Sequence, residues 1–375
     1  MSRKFVRLKT VPPGPASRAL VAAEKPYLAP GTQGVWQLAG IAAERGQGAL
    51  LEDVDGNQYI DLVAGICVAS LGYGHPRQAQ AIAAQAQKLA VGSYTTAPRA
   101  SLLKRIAEVT PRGAGLTKTQ LYSSGAEAVE SALRLARAHT KKFEVVSFWG
   151  GFHGKTQGVL GLMGSDFKHG LGPQAPGLHL VPYADCYRCP FQLEYPKCGL
   201  ACVDFMRKAL KVQTAGSVAA VIAEPIQGTA GNVVPPDDFL PAVKEVAQEA
   251  GALFISDEMI TGFGRSGTMF GCEHSGVRPD IMTIGKALGG GYPVSGVVST
   301  EDITRAEPWS KPSFSSSSYG GNPLAAAAAD ATLAAILDED LPGNARRVGS
   351  EMLRALAPLV EKYPFVGEVR GRGLM

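Results

Sequence analysis

From about residue 117 onward, short apolar runs alternate with helical stretches, and this rhythm constrains the fold more than any other feature. Strand-like runs occupy 119–122, 144–149, 178–181, 218–223, 252–256, 281–284 and 294–298. Helical patterns at 126–139, 203–211 and 238–249 fall between them. Apolar runs that do not alternate with polar residues suit strands buried on both faces. The pattern therefore predicts an α/β fold: a mainly parallel sheet of seven strands flanked by helices on both sides. In such sheets ligands bind beyond the carboxyl ends of the strands, so the loops that follow the runs are where chemistry is expected.

The flanking regions read differently. Residues 1–45 have little periodicity and suggest an arm with one helix. Two strand-like runs around Asp55-Gly56 predict a hairpin. Residues 77–90, 100–109, 322–338 and 343–362 read as helices, and 366–375 as the opening of a strand. The chain has 375 residues and a net charge of +4 from 37 basic and 33 acidic side chains, too small and dispersed to argue for nucleic acid. The basic cluster Arg3, Lys4, Arg7 and Lys9 lacks the apolar core of a signal peptide. No apolar stretch is long enough to span a bilayer, so the expected compartment is the cytoplasm.

Lys286 ends an apolar run and precedes three glycines. A buried lysine favours its neutral amine, a nucleophile able to form a Schiff base with an aldehyde; a lysine closing a strand at the surface is the plainer alternative. Ser124, Gly125 and Ala126 open a helix after a strand, where free N–H groups favour a phosphate or form an ordinary capping box with Glu127. Phe152 and His153 lie among glycines, suited to a flat ring or to packing at a turn. Asp257 ends an apolar strand and needs a positive partner, either a protonated ring nitrogen or Arg265. Glu224 is a second acid at a strand end. Four serines, Ser315 to Ser318, form a polar loop or a further phosphate contact. A phosphate cradle, a stacking ring, an acid for a ring nitrogen and an amine for an aldehyde together meet the needs of pyridoxal 5'-phosphate.

These motifs resemble those of the class III (ω-) aminotransferases, pyridoxal-phosphate enzymes of fold type I. The matching stretches are 51–62 (LEDVDGNQYIDL), 124–130 (SGAEAVE), 151–156 (GFHGKT), 223–228 (AEPIQG), 257–267 (DEMITGFGRSG), 279–293 (PDIMTIGKALGGGYP) and 319–324 (YGGNPL). The resemblance implies that Lys286 holds the cofactor covalently and shuttles a proton, and that Asp257 pairs with the ring nitrogen. It places Ser124, Gly125 and Ala126 at the phosphate, Phe152 on one ring face with His153 beside it, Met259 on the other face, and Glu224 in the nearby polar network. Ser318 matches a position that reaches the phosphate of the partner subunit, which implies a homodimer with shared sites. It also implies an N-terminal arm and part of a small domain at 1–70, a large cofactor-binding domain at 71–321, and a linker helix with an incomplete small domain at 322–375.

The expected reaction moves an amino group from an amine or amino acid to a 2-oxo acid by ping-pong kinetics. Ile260 and Thr229 depart from the 4-aminobutyrate type, and Ile260 looks more like the β-alanine–pyruvate and amine–pyruvate branches. The family pattern continues past Met375, so the sequence reads as a fragment or a truncated chain. The alternatives are a decarboxylase, racemase, epimerase or phospho-lyase on the same fold, or an inactive truncated paralogue or binding module. No G-x-G-x-x-G opens a βαβ unit to support a dinucleotide enzyme. Cys186, Cys189, Cys198 and Cys202 stand at spacings that can hold zinc. The family requires no metal, and reduced thiols are the expected state.

Overall fold

A computed structural model describes residues 5–375. Arg3 and Lys4 of the basic cluster lie outside the described residues, whereas Arg7 pairs its backbone with Gln58. The strands are β1 (Ala43–Gln47), β2 (Leu50–Asp53), β3 (Gln58–Ile60), β4 (Lys118–Tyr122), β5 (Glu144–Phe148), β6 (Leu178–Val181), β7 (Val218–Ala223), β8 (Leu253–Asp257), β9 (Ile281–Ile284) and β10 (Ser295–Ser299). The first three make a small antiparallel sheet, and the other seven form one sheet in the order β4-β10-β9-β8-β7-β5-β6. Pairings from β9 to β6 are parallel, and β10 runs antiparallel to both its neighbours.

Every residue of β5, β7 and β9 is buried, as expected for strands covered on both faces. Successive side chains feed two separate cores. Ala220, Ile222, Ile255 and Ile281 pack with Ala128, Val129, Ala132 and Leu133 of helix Gly125–Thr140. Val221, Ala223, Phe254, Met282 and Ile284 pack on the opposite side with Phe239, Val243 and Val246 of helix Phe239–Glu249, and with helices Ala201–Gln213 and Pro323–Asp338.

Three expectations change. The arm carries two helices, Pro15–Glu24 and Gly34–Ala39. The helix expected over 343–362 divides into Leu341–Leu356 and Pro358–Lys362, since the ring of Pro358 removes a backbone donor. Residues 366–375 form no strand. Their backbone turns instead, with Arg372 N–H donating to Met375 O and Leu374 N–H to Arg265 O. The Arg370 side chain donates to the carbonyls of Gly231 and Asn232. Among the described residues no helix is long and apolar enough to cross a membrane.

Because β10 alone is reversed, β4 runs in the same direction as β5, β7, β8 and β9. The residues that follow Tyr122, Phe148, Ala223, Asp257 and Ile284 therefore emerge at one edge of the sheet.

Candidate active site

At the end of β4, Ser124 is the N-cap of helix Gly125–Thr140, and its hydroxyl accepts from Glu127 N–H at 3.2 Å. The Glu127 carboxylate reaches back to Ser123 N–H at 3.0 Å, so the helix start is fixed from both sides. The N–H groups of Gly125 and Ala126 have no acceptor among the described residues. They are the free donors of a helix N-terminus, and they point where an anion is favoured.

The loop after β5 closes against this helix. A Cβ on Gly154 would lie 2.6 Å from Ala126 Cβ, so only glycine permits the approach. The loop backbone is also tied to the end of β7: Phe152 N–H donates to Glu224 Oε1 at 2.8 Å, and Gly228 N–H to Glu224 Oε2 at 3.3 Å. Glu224 is buried. Burial raises its carboxyl to about 7, helped by the Asp257 charge and opposed by His153 and the two N–H donors.

Asp257, the last residue of β8, is the best-held group of the site. Its Oδ2 lies 2.7 Å from His153 Nδ1, and its Oδ1 accepts from Thr283 Oγ1 at 2.9 Å and Met259 N–H at 3.2 Å. On the other side of the ring, His153 Nε2 lies 3.0 Å from Ser147 Oγ, whose proton goes to the Leu162 carbonyl at 3.2 Å. The His153 ring thus bridges the Asp257 carboxylate and the Ser147 hydroxyl. Burial pulls the His153 pKa down, but the hydrogen bond and charge of Asp257, with Glu224 behind, leave it raised above its ordinary value.

The buried group facing Asp257 is thus His153 rather than Arg265, whose guanidinium reaches Ser70 Oγ at 3.3 Å. Thr283 and Ser147 were not foreseen. Their signal was available in a polar residue inside each apolar run.

Lys286 departs from the expected picture. It is half-buried, and it stands beyond the strand at the start of the short turn Lys286–Gly289. Its φ of +44° lies in the left-handed region, a strain of about 1–3 kcal/mol that characteristically clusters at functional sites. Its amine makes no hydrogen bond or ion pair among the described residues. Met259, half-buried, packs into the angle between two glycines. A Cβ on Gly285 would meet its sulfur at 2.6 Å, and one on Gly125 at 3.2 Å. Phe152 is half-buried with Phe167 edge-on at 5.8 Å. Ser318 is exposed and shares no hydrogen bond with this cluster in its own chain.

A carboxylate held by three donors, two free N–H groups and an unpaired amine at one sheet edge suit the ring nitrogen, phosphate and aldehyde of pyridoxal phosphate. The fold is that of the fold type I pyridoxal-phosphate enzymes. Residues 32–375 match the family model for aminotransferase class III, and the chain belongs to that family. It is 40% identical over 333 residues to an acetylornithine aminotransferase of Methanopyrus kandleri, covering 88% of this chain and 78% of that one. It is 36% identical over 343 residues to a leucine/methionine racemase of Thermococcus litoralis, covering 90% and 76%. An amine transaminase from an uncultivated Pseudomonas species, solved in its cofactor-bound form, superposes with a TM-score of 0.86 at 32% identity, covering 92% of this chain and 82% of that one. The protein is a pyridoxal-phosphate-dependent aminotransferase acting on an amino donor and a 2-oxo acid.

Proposed function

We propose that the donor is a primary amine, diamine or ω-amino acid, and that the residues gathered at the sheet edge carry its transamination. When bound, pyridoxal phosphate supplies an electron sink that lets a proton leave the substrate carbon. The N–H groups of Gly125 and Ala126, with Ser124 beside them, would hold its phosphate. Asp257 would hold its ring nitrogen protonated, and Phe152 and Met259 would bound its two faces. His153 and Glu224 act behind these groups: His153 orients Asp257, and Glu224 fixes the loop that presents Phe152. Lys286 would hold the cofactor through Nζ, and the same nitrogen would take the proton from the substrate carbon and return it elsewhere.

The observation that carries this reading is the Asp257 carboxylate. It is buried, fixed by His153, Thr283 and the Met259 N–H, and set at the same edge as the Lys286 amine. Ile260 favours the amine end of the donor range, since its side chain packs beside Gly228 and offers no hydrogen bond. Homodimerisation, with Ser318 completing the partner's phosphate site, belongs to the same reading. So do a cytoplasmic location and a large domain over 71–321 between segments of a small one.

A donor panel incubated with the holoenzyme in the absence of oxo acid tests it. Conversion of the bound cofactor to pyridoxamine phosphate supports transamination, and pyruvate or 2-oxoglutarate then restores the starting form. The similarity to the leucine/methionine racemase supports a second reading. Loss of optical activity from an amino acid, with no pyridoxamine phosphate formed, selects that one.

A further inference from the structure

Residues 182–200 join β6 to helix Ala201–Gln213 without strand or helix of their own. A connection this long inside a compact domain needs something to hold it. Four of the six cysteines of the chain lie in or just after it, as a Cys-x-x-Cys pair and a Cys-x-x-x-Cys pair. Tight turns shape each end: Gln192 N–H donates to Cys189 O at 3.0 Å, Cys198 N–H to Glu194 O at 2.9 Å, and Ala201 N–H to Cys198 O at 3.2 Å. The turns bring the two pairs to one place. Cys186, Cys189, Cys198 and Cys202 all line a single cavity of about 20 Å³, closed by Tyr183 and Phe191. That space admits about one water-sized body. It is too small for an organic ligand or an iron–sulfur cluster, and large enough for one ion. Cys202 also lies in the first turn of a 13-residue helix, where the helix dipole favours a thiolate.

We propose that Cys186, Cys189, Cys198 and Cys202 bind one zinc ion. All four are free thiols, and among the described residues no group of three or more His, Cys, Asp or Glu side chains already stands in a metal-holding arrangement. Binding requires the thiols to draw together around the cavity they line. The balance is simple: four thiols lose four protons to solvent, and four sulfur–zinc bonds form with no change of oxidation state. Soft thiolates select zinc over magnesium or calcium. Burial, then the neighbouring cysteines, raise the Cys186 thiol, and burial raises Cys202 to about 11. The metal would tie the loop beneath Tyr183, whose hydroxyl donates to the Glu224 carbonyl at 2.9 Å. It would therefore brace the active-site floor without entering the chemistry.

Elemental analysis of the full chain, purified without chelator, tests the proposal independently of any enzymatic assay. About one zinc per chain is expected. Protein stripped of metal and given cobalt should show thiolate-to-cobalt charge-transfer absorption and tetrahedral d–d bands. Cys189→Ser and Cys198→Ser should each weaken metal binding by about tenfold or more, and Cys67→Ser should leave it unchanged. Should the variants fail to fold, the cobalt spectrum of the stripped wild-type chain decides. No retained zinc together with no cobalt band, iron in place of zinc, or a disulfide joining two of the four cysteines in the isolated protein would each overturn it.

Discussion

Asp257 and His153 are 104 positions apart, yet their contact orients the carboxylate and raises the imidazole above its ordinary value. The acid was legible as a costly charge at the end of an apolar strand. Its partner was not, because a histidine among glycines gives no sign of where its loop will fold. Removing the carboxylate in Asp257→Ala leaves the Gly125–Ala126 donors in place. We expect cofactor to be retained, more weakly, while turnover falls by about 100-fold or more; steady-state rates with saturating cofactor check this. Glu224 makes a separate, pH-dependent contribution. Its folded-state pKa of about 7 lies above the roughly 4.3 of an unfolded glutamate. Stability linked to it is therefore complete below the unfolded value and is lost as pH rises through about 7. Urea unfolding of the cofactor-free protein across this window should fall with pH in the wild type and be flatter in Glu224→Gln. Equal slopes would show that Glu224 ionises freely in the folded chain.

Elements that bury an apolar face announce themselves, and those that do not stay hidden. Strand β7, Val-Ala-Ala-Val-Ile-Ala, and helix Gly125–Thr140 were readable because burial on both faces, or along one stripe, leaves a periodic record. Strand β1, Ala-Glu-Arg-Gly-Gln, is mostly exposed and polar, and nothing in its pattern marks it. The loop 151–154 is held by contacts that depend on the absence of a side chain at Gly154, whose φ is +124°. Gly154→Ala would drive a methyl group into Ala126 and strain the backbone. A loss of about 1–3 kcal/mol is expected, seen as a lower melting temperature and weaker cofactor uptake, since Phe152 and His153 move with the loop. An unchanged melting curve and cofactor titration would mean that the loop does not depend on this approach.

At the scale of the molecule, the sequence supports a parallel sheet but not its order, because strand neighbours are chosen by contacts far apart in the chain. The reversal of β10 between β4 and β9 is of this kind, and it is what delivers Gly125 to the same edge as Asp257 and Lys286. Ser318 belongs to this scale too, exposed in its own chain and assigned to a partner's phosphate. Dilution that separates the subunits should weaken cofactor binding, and Ser318→Ala should weaken it without altering the melting temperature of the cofactor-free chain. Cofactor affinity independent of concentration and of this substitution would separate the site from the dimer. On the proposed mechanism, the amine beyond β9 is the attachment point of the cofactor. Borohydride reduction of the holoenzyme followed by peptide mapping tests it most directly. A pyridoxyl group on Lys286, absent from Lys286→Ala together with turnover, is the expected result; an adduct on another lysine, or none, would contradict the account.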